Sequence, residues 1–106
     1  LERYLKKCEG KFPSLVEAAE HFSMSPRMFR RTLEASGSNY RAMVEETKSH
    51  LARQLLVETS LDVAIIAERL GYKDTGNFSR AFRQWTGFPP GKYRSLPNSK
   101  KNLNDQ

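Results

Sequence analysis

The chain has 106 residues, of which 38% are hydrophobic and 28% charged. This length suits one compact domain or two very small ones with a shared core, and no apolar run approaches the roughly 20 residues that a membrane-spanning helix needs. Cys8 is the single cysteine, which excludes an intrachain disulfide and a thiolate metal cluster and agrees with a cytoplasmic location. The formal net charge of +6 favours polyanionic partners, either nucleic acid or an anionic membrane surface.

The beginning of the chain predicts a leading helix and then the first of a pair of helices. Residues 1–7 are typical of a short amphipathic helix that packs on the unit after it. Ser14 and Glu17 have the spacing of a capping box, in which each side chain accepts a hydrogen bond from the other residue's backbone N–H. Four apolar residues then share one helical face: Leu15, Ala18, Ala19 and Phe22.

A short turn separates this helix from the second helix of the pair. Ser25 is a strong N-cap, and Pro26 suits the first helical position, where its missing N–H costs nothing. This helix is expected to bury Phe29 and Leu33 and to end near Gly37.

A longer helix is predicted from Asn39 to Glu58, because this segment is periodic and contains neither Gly nor Pro. Twenty helical residues span about 30 Å. Its apolar stripe is expected at Tyr40, Val44, Thr47, Leu51 and Leu55.

The pattern of the first pair then repeats. Asp62 is expected to cap a helix that ends at Gly71, and Asp74 or Thr75 is expected to cap a helix that ends at Gly87. The buried residues of these two helices are predicted to be Val63, Ile66, Ala67 and Leu70 in the first, and Phe78, Ala81, Phe82 and Trp85 in the second.

A last short helix is expected to start at Pro89-Pro90 and to end near Arg94. The chain is therefore predicted to be all-α, with two helix-turn-helix subdomains joined by a long linker helix and about seven helices in all. The predicted divisions are a first unit with its leading helix at 1–37, the linker helix at 38–59, a second unit with a short C-terminal helix at 60–95, and a disordered polar tail at 96–106.

The second helix of each pair has a set of outward-pointing residues opposite its apolar stripe. In the first pair these outward residues are Arg27, Met28, Arg30 and Arg31. In the second pair they are Gly76, Asn77, Ser79, Arg80 and Arg83. Met28 is open to two interpretations, since it would either contact a thymine methyl group or lie at the edge of the core.

Both faces have the chemistry of a helix that reads base edges in the major groove. An Arg fork fits the O6 and N7 acceptors of guanine, and an Asn amide fits the N6/N7 edge of adenine. We expect bases to be read from the first two turns and phosphates to be held by flanking Arg and Lys. Two groove entries on one side of B-DNA lie about 34 Å apart, so a linker helix of about 30 Å would place the two reading helices one turn apart.

These residues closely resemble the signature of the AraC/XylS transcription regulators. The second half carries Ile66-Ala67-x-x-Leu70-Gly71-Tyr72, Asn77-Phe78-Ser79-Arg80-Ala81-Phe82-Arg83-x-Trp85-x-Gly87 and Pro90-x-x-Tyr93-Arg94. The first half carries the similar run Ala18-Ala19-Glu20-x-x-Ser23-Met24-Ser25-Pro26-Arg27-x-x-x-Arg30-Arg31-x-Leu33, and the whole match covers about residues 14 to 95. Two residues depart from the family pattern. Many members have Gly where this chain has Ser23. At Asp62, a Ser followed by Glu at the third helical position would form a capping box, but Ile65 occupies that third position here.

The resemblance implies the C-terminal, double-stranded-DNA-binding domain of a bacterial regulator, with RNA polymerase as a further partner. It implies base contacts at Arg27, Met28, Arg30 and Arg31 in the first unit, and at Thr75, Gly76, Asn77, Ser79 and Arg80 in the second. Thr75 is the one residue that the periodicity does not select. The resemblance also implies an N-terminal effector-binding or dimerisation domain before this one; a regulator that consists of this domain alone is the alternative. The start at Leu1 without an initiator Met is typical of a fragment or a processed chain.

An enzyme and an RNA- or protein-binding helical domain are the competing function classes. His21 and His50 are the only histidines and have no evident acidic or cysteine partner in the sequence. Catalytic-triad, metal-ligand and glycine-rich phosphate-loop patterns are absent, so we expect no enzymatic activity, no cofactor and no metal. The aromatic residues are expected to fill the core rather than to stack on RNA bases.

Overall fold

A computed structural model describes residues 1–8 and 10–97, which form helices without any strand. The helices are α1 (Glu2–Lys7), α2 (Leu15–His21), α3 (Pro26–Ala35), α4 (Tyr40–Glu58), α5 (Val63–Arg69), α6 (Thr75–Thr86) and α7 (Pro90–Ser95). The predicted all-α architecture, with two helix pairs around one long helix, is confirmed. Of the predicted polar tail, Leu96 packs against the core beside α7, and residues 98–106 lie outside the described part of the chain.

The predicted helix starts are built from side-chain caps. The Glu17 backbone N–H donates to Ser14 Oγ at 3.2 Å, and the Ser14 N–H donates to a Glu17 carboxylate oxygen at 2.9 Å, which completes the capping box. These hydrogen bonds lower the pKa of Glu17, because they favour its charged form. Ser25 and Asn39 cap α3 and α4 in the same way, through one backbone N–H each.

Asp62 corrects one expectation about these caps. It stands at the N-cap position of α5, but its side chain makes no cap hydrogen bond. The residue is exposed, so water can satisfy both its carboxylate and the free N–H groups of the first turn. Of the two candidates for the start of α6, Asp74 is the cap, and it accepts a hydrogen bond from the Asn77 N–H at 2.7 Å.

The turns of the two pairs have the same hydrogen bonds but different residues at the critical position. Met24 N–H donates to the Ala19 carbonyl at 2.9 Å, and Tyr72 N–H donates to the Ala67 carbonyl at 3.0 Å. The residue before each donor has a left-handed backbone, with φ of 57° at Ser23 and 84° at Gly71. Glycine adopts this conformation without a steric penalty, whereas serine adopts it at a steric cost.

Two apolar clusters pack along α4, one near its start and the other near its end. The first cluster has Ala18, Ala19, Phe29 and Leu33 at its centre. The second is larger and is formed by Ala52, Leu56, Ile66, Ala67, Leu70, Phe78, Phe82 and Tyr93. Helix α4 serves both, since Tyr40 and Met43 pack on the first cluster while Ala52 and Leu56 belong to the second.

The buried residues of α4 differ from the predicted stripe. Thr47 is buried as expected, but Ser49, Ala52 and Leu56 are buried as well, while Leu55 is only partly buried. The reason is that α1, α5, α6 and α7 all pack against α4, so its buried positions do not follow a single face. The expectation for Phe22 also needs correction, because it is 38% exposed.

A direct contact joins the two halves of the molecule at the middle of α4. The Lys48 ammonium lies 5.3 Å from the centre of the Phe12 ring and 4.6 Å from that of the Tyr72 ring, distances at which aromatic faces attract a cation. Burial lowers the pKa of Lys48. Beside it, the Gly10 carbonyl oxygen lies 3.8 Å from where a Cβ on Gly71 would stand. The segment before α2 therefore packs on the turn between α5 and α6.

Replacing the left-handed serine by glycine should stabilise the fold. We expect Ser23→Gly to raise the free energy of unfolding by about 0.5–1 kcal/mol, because relief of the steric strain exceeds the added entropy of the unfolded chain. Gly71→Ser is the matched reverse change and should lower it by about 1 kcal/mol. Denaturant unfolding followed by circular dichroism measures both values. A destabilised Ser23→Gly protein would contradict the strain at this turn.

The burial pattern of α4 predicts a difference between two adjacent leucines. Leu56 is 1% exposed, so Leu56→Ala should cost about 2–5 kcal/mol of unfolding free energy. Leu55→Ala should cost clearly less, because this side chain is only partly buried at the edge of the same cluster. Equal losses, or a larger loss at Leu55, would favour the stripe predicted from periodicity over the observed packing.

Candidate nucleic-acid interface

Helices α3 and α6 are the second helices of the two pairs, and each buries one edge of its surface. Phe29 and Leu33 hold α3 against the first cluster. Phe78 and Phe82 hold α6 against the second cluster. The opposite edge of each helix therefore faces solvent, and the predicted DNA-reading residues lie there.

The face of α3 is strongly basic. Arg27, Arg30 and Arg31 are all exposed, and among the described residues none of them forms a salt bridge, so their guanidinium groups are available to an anionic partner. Met28 is 56% exposed and lines a shallow pocket with Ser25, Arg27 and Arg31. Of its two interpretations, the position at the edge of the core is therefore disfavoured.

The face of α6 is more polar and less charged. Thr75, Gly76, Asn77, Arg80 and Arg83 are exposed. Ser79 is half-buried, because it lies next to the buried stripe. All ten predicted residues thus lie on the two expected faces, and their contact with bases stays a prediction.

Asp74 extends the α6 face in a way that the sequence analysis missed. Its carboxylate accepts two hydrogen bonds from Asn77, from the backbone N–H at 2.7 Å and from the side-chain Nδ2 at 3.2 Å. Arg80 Nη2 donates in turn to Asn77 Oδ1. The N-cap pattern identifies Asp74 as a helix start, but spacing alone does not show that its carboxylate also binds the Asn77 side chain.

Other residues of the signature anchor α6 and α7 rather than face solvent. The Trp85 indole N–H donates to Glu45 of α4 at 3.1 Å. Arg94 donates to the carbonyl of Leu56 at 3.1 Å and to that of Thr59 at 3.4 Å, which satisfies the C-terminal end of α4. The ring of Tyr93 packs edge-on against Phe82, with centroids 5.1 Å apart. The aromatic residues of the second unit named here, Phe82, Trp85 and Tyr93, are therefore part of the second cluster or packed against it and do not form a stacking platform.

Across residues 1–8 and 10–97, no group of three His, Cys, Asp or Glu side chains is placed to hold a metal ion. In the same part of the chain no helix combines the length and apolar character that crossing a bilayer requires.

Comparison with known proteins identifies the family. A family described as a helix-turn-helix domain matches residues 18–95. The ornithine utilization regulator of Pseudomonas aeruginosa is 40% identical over 97 residues, which cover 92% of this chain and 29% of that protein. An AraC-type DNA-binding regulator structure from Chromobacterium violaceum superposes with a TM-score of 0.80 at 22% identity, over 90% of this chain and 88% of that one.

The chain belongs to the AraC/XylS family. It is thus a DNA-binding, helix-turn-helix domain of the kind found in bacterial transcription regulators. The DNA-binding domain of AdpA, a global transcriptional factor crystallised with a target DNA, has the same fold, with a TM-score of 0.77 at 21% identity over 98% of this chain and 92% of that one. This AraC/XylS domain spans 29% of the length of the ornithine utilization regulator.

Proposed function

We propose that this domain reads a specific double-stranded DNA site by inserting α3 and α6 into successive major grooves. The observation that carries the proposal is that both second helices expose a basic or polar face while their opposite edges are buried in separate clusters. This arrangement is the one by which helix-turn-helix proteins present a helix to the groove.

The exposed faces of α3 and α6 suit different kinds of contact with DNA. The three arginines of α3 offer guanidinium forks for guanine edges and for phosphates, and no acidic residue lies in the first turn of that helix. Met28, exposed among them, supplies an apolar surface for a thymine methyl group. The α6 face contributes Thr75, Gly76, Asn77, Ser79, Arg80 and Arg83, with small residues where the backbone would approach the bases.

The linker supports simultaneous engagement of both helices. Helix α4 has 19 residues, which corresponds to about 28 Å, and the molecule extends 43 Å along its longest axis. One turn of B-DNA separates major-groove entries by about 34 Å. The Lys48 contact and the packing of Gly10 on the α5–α6 turn favour a fixed relation between the two units. The half-sites need not be palindromic, because the two units differ in sequence.

The wider role belongs to the same proposal. We place the protein in the bacterial cytoplasm, where it would regulate transcription from a promoter together with RNA polymerase. Because this chain spans 29% of one relative's length, an effector-binding or dimerisation domain would be supplied by a longer protein. The relatives are transcription regulators, which favours binding over catalysis.

Selection of bound duplexes followed by footprinting tests the mode of binding. The proposal predicts two protected major-groove segments about one turn apart and an affinity that falls steeply with salt, since several phosphates are neutralised. A matched RNA should bind more weakly than the duplex DNA. A single protected segment would show that only one unit reads DNA, and equal or better RNA binding would contradict the proposal.

Arg80→Ala tests the reading role of α6. The variant should bind the selected site more weakly by about 1–3 kcal/mol and should lose preference at one or two base pairs, because a bidentate Arg–guanine contact contributes that much. Arg3→Ala removes an exposed arginine of α1 that lies on neither face and is the charge-matched control. If both variants lose affinity equally at all sequences, Arg80 acts only through its charge.

A further inference from the structure

We propose that Asp74 and Asn77 are positioning residues that hold Arg80 as the guanine reader of α6, so that Asn77 does not itself read a base. This inference rests on the proposed function, and it changes the role that the residue type of Asn77 suggests. It names a specificity determinant, Asp74, that would touch no base.

The orientation of the Asn77 amide follows from its partner. An ionised carboxylate only accepts hydrogen bonds, so the group that faces Asp74 Oδ2 at 3.2 Å must be the Asn77 amide nitrogen. The Asn77 carbonyl oxygen then points away from Asp74. The backbone N–H of Asn77, 2.7 Å from the other carboxylate oxygen, fixes Asp74 in turn. The amide is thus held from both the backbone and the side chain.

The guanidinium of Arg80 completes the chain of hydrogen bonds. Its Nη2 donates to Asn77 Oδ1, and its Nη1 lies 3.7 Å from where a Cβ on Gly76 would stand. The same Cβ would lie 3.3 Å from Asp74 Oδ1, which is a crowded contact. Glycine at this position therefore leaves space for the acid and the guanidinium over the first turn of α6, the part of a reading helix that meets base edges.

The pairing decides how the two side chains are oriented. Asn77 has two amide hydrogens and two carbonyl lone pairs, and Asp74 takes one hydrogen while Arg80 takes one lone pair. The amide is therefore oriented by these two partners and not by an adenine edge. Arg80 uses one of its five N–H donors on Asn77 and keeps the others for a guanine O6 and N7. Because the side chain is ordered before DNA arrives, less rotamer entropy is lost on binding.

The test must separate specificity from charge. Asp74 would be an acidic residue close to DNA phosphates, so its removal should raise affinity for all sequences alike. The informative quantity is the ratio of dissociation constants for two duplexes that differ at the base pair read by Arg80, G·C in one and A·T in the other. That base pair is identified as the one whose preference Arg80→Ala abolishes.

Three variants are compared with the parent domain in this ratio. Asp74→Ser keeps a good N-cap but loses the oxygen that holds the Asn77 amide, so the fold is retained, and thermal unfolding verifies it. Asn77→Ala removes the side chain that links Asp74 to Arg80 by hydrogen bonds. Gln84→Ala is the matched control, because Gln84 is an exposed residue of α6 that takes no part in these hydrogen bonds. We expect the parent to prefer G·C roughly 5- to 100-fold. Asp74→Ser and Asn77→Ala should each reduce that preference by about threefold or more.

The outcomes are distinguishable. The inference is supported if Asp74→Ser and Asn77→Ala weaken preference at that base pair alone, and if neither change alters the ratio of dissociation constants further in an Arg80→Ala background. It is overturned if the ratio stays at the parent value, or if Asn77→Ala abolishes a preference for adenine at another base pair. If Arg80→Ala changes no base preference, the proposed reading function of α6 fails, and the inference fails with it.

Discussion

The fold depends on helix α4, because this one helix must pack against both apolar clusters. Helix α4 contributes Tyr40 and Met43 to the first cluster and Ala52 and Leu56 to the second. Thr47 and Ser49 are buried between these two pairs of residues. The Lys48 ammonium lies against Phe12 and Tyr72, one aromatic ring from each half of the molecule. Because α4 cannot bend far without opening a core, the exposed faces of α3 and α6 are held by the same packing that folds the domain.

This packing separates the residues that build the domain from those that we propose to read DNA. Trp85 and Arg94 hydrogen-bond to α4, and Tyr93 packs inside the second cluster, so the strongest part of the family signature is structural. The residues of α3 and α6 that face solvent do not take part in this packing.

Local features of the fold were predictable from the sequence because their causes are local. The Ser14–Glu17 capping box and the Pro26 helix start involve residues three positions apart or fewer. The burial of Leu56 in place of Leu55 was not predictable, since several helices from different parts of the chain cover α4. The candidate faces could be predicted, because helical periodicity sets which residues point outward. The Lys48 contact with Phe12 and Tyr72, and the chain from Asp74 to Arg80, depend on tertiary and side-chain geometry that no spacing encodes.

The central claim, that α4 holds two reading helices at one fixed separation, is tested most directly by changing the spacing of the DNA site. Dissociation constants would be measured for a selected duplex with one to ten base pairs inserted between its two protected segments. The account predicts that affinity falls to that of a single half-site after a few inserted pairs. It also predicts no recovery at about ten pairs, where the original face returns one turn of about 34 Å further away. Affinity that is unchanged by insertions would show that the two units move independently and would contradict the account.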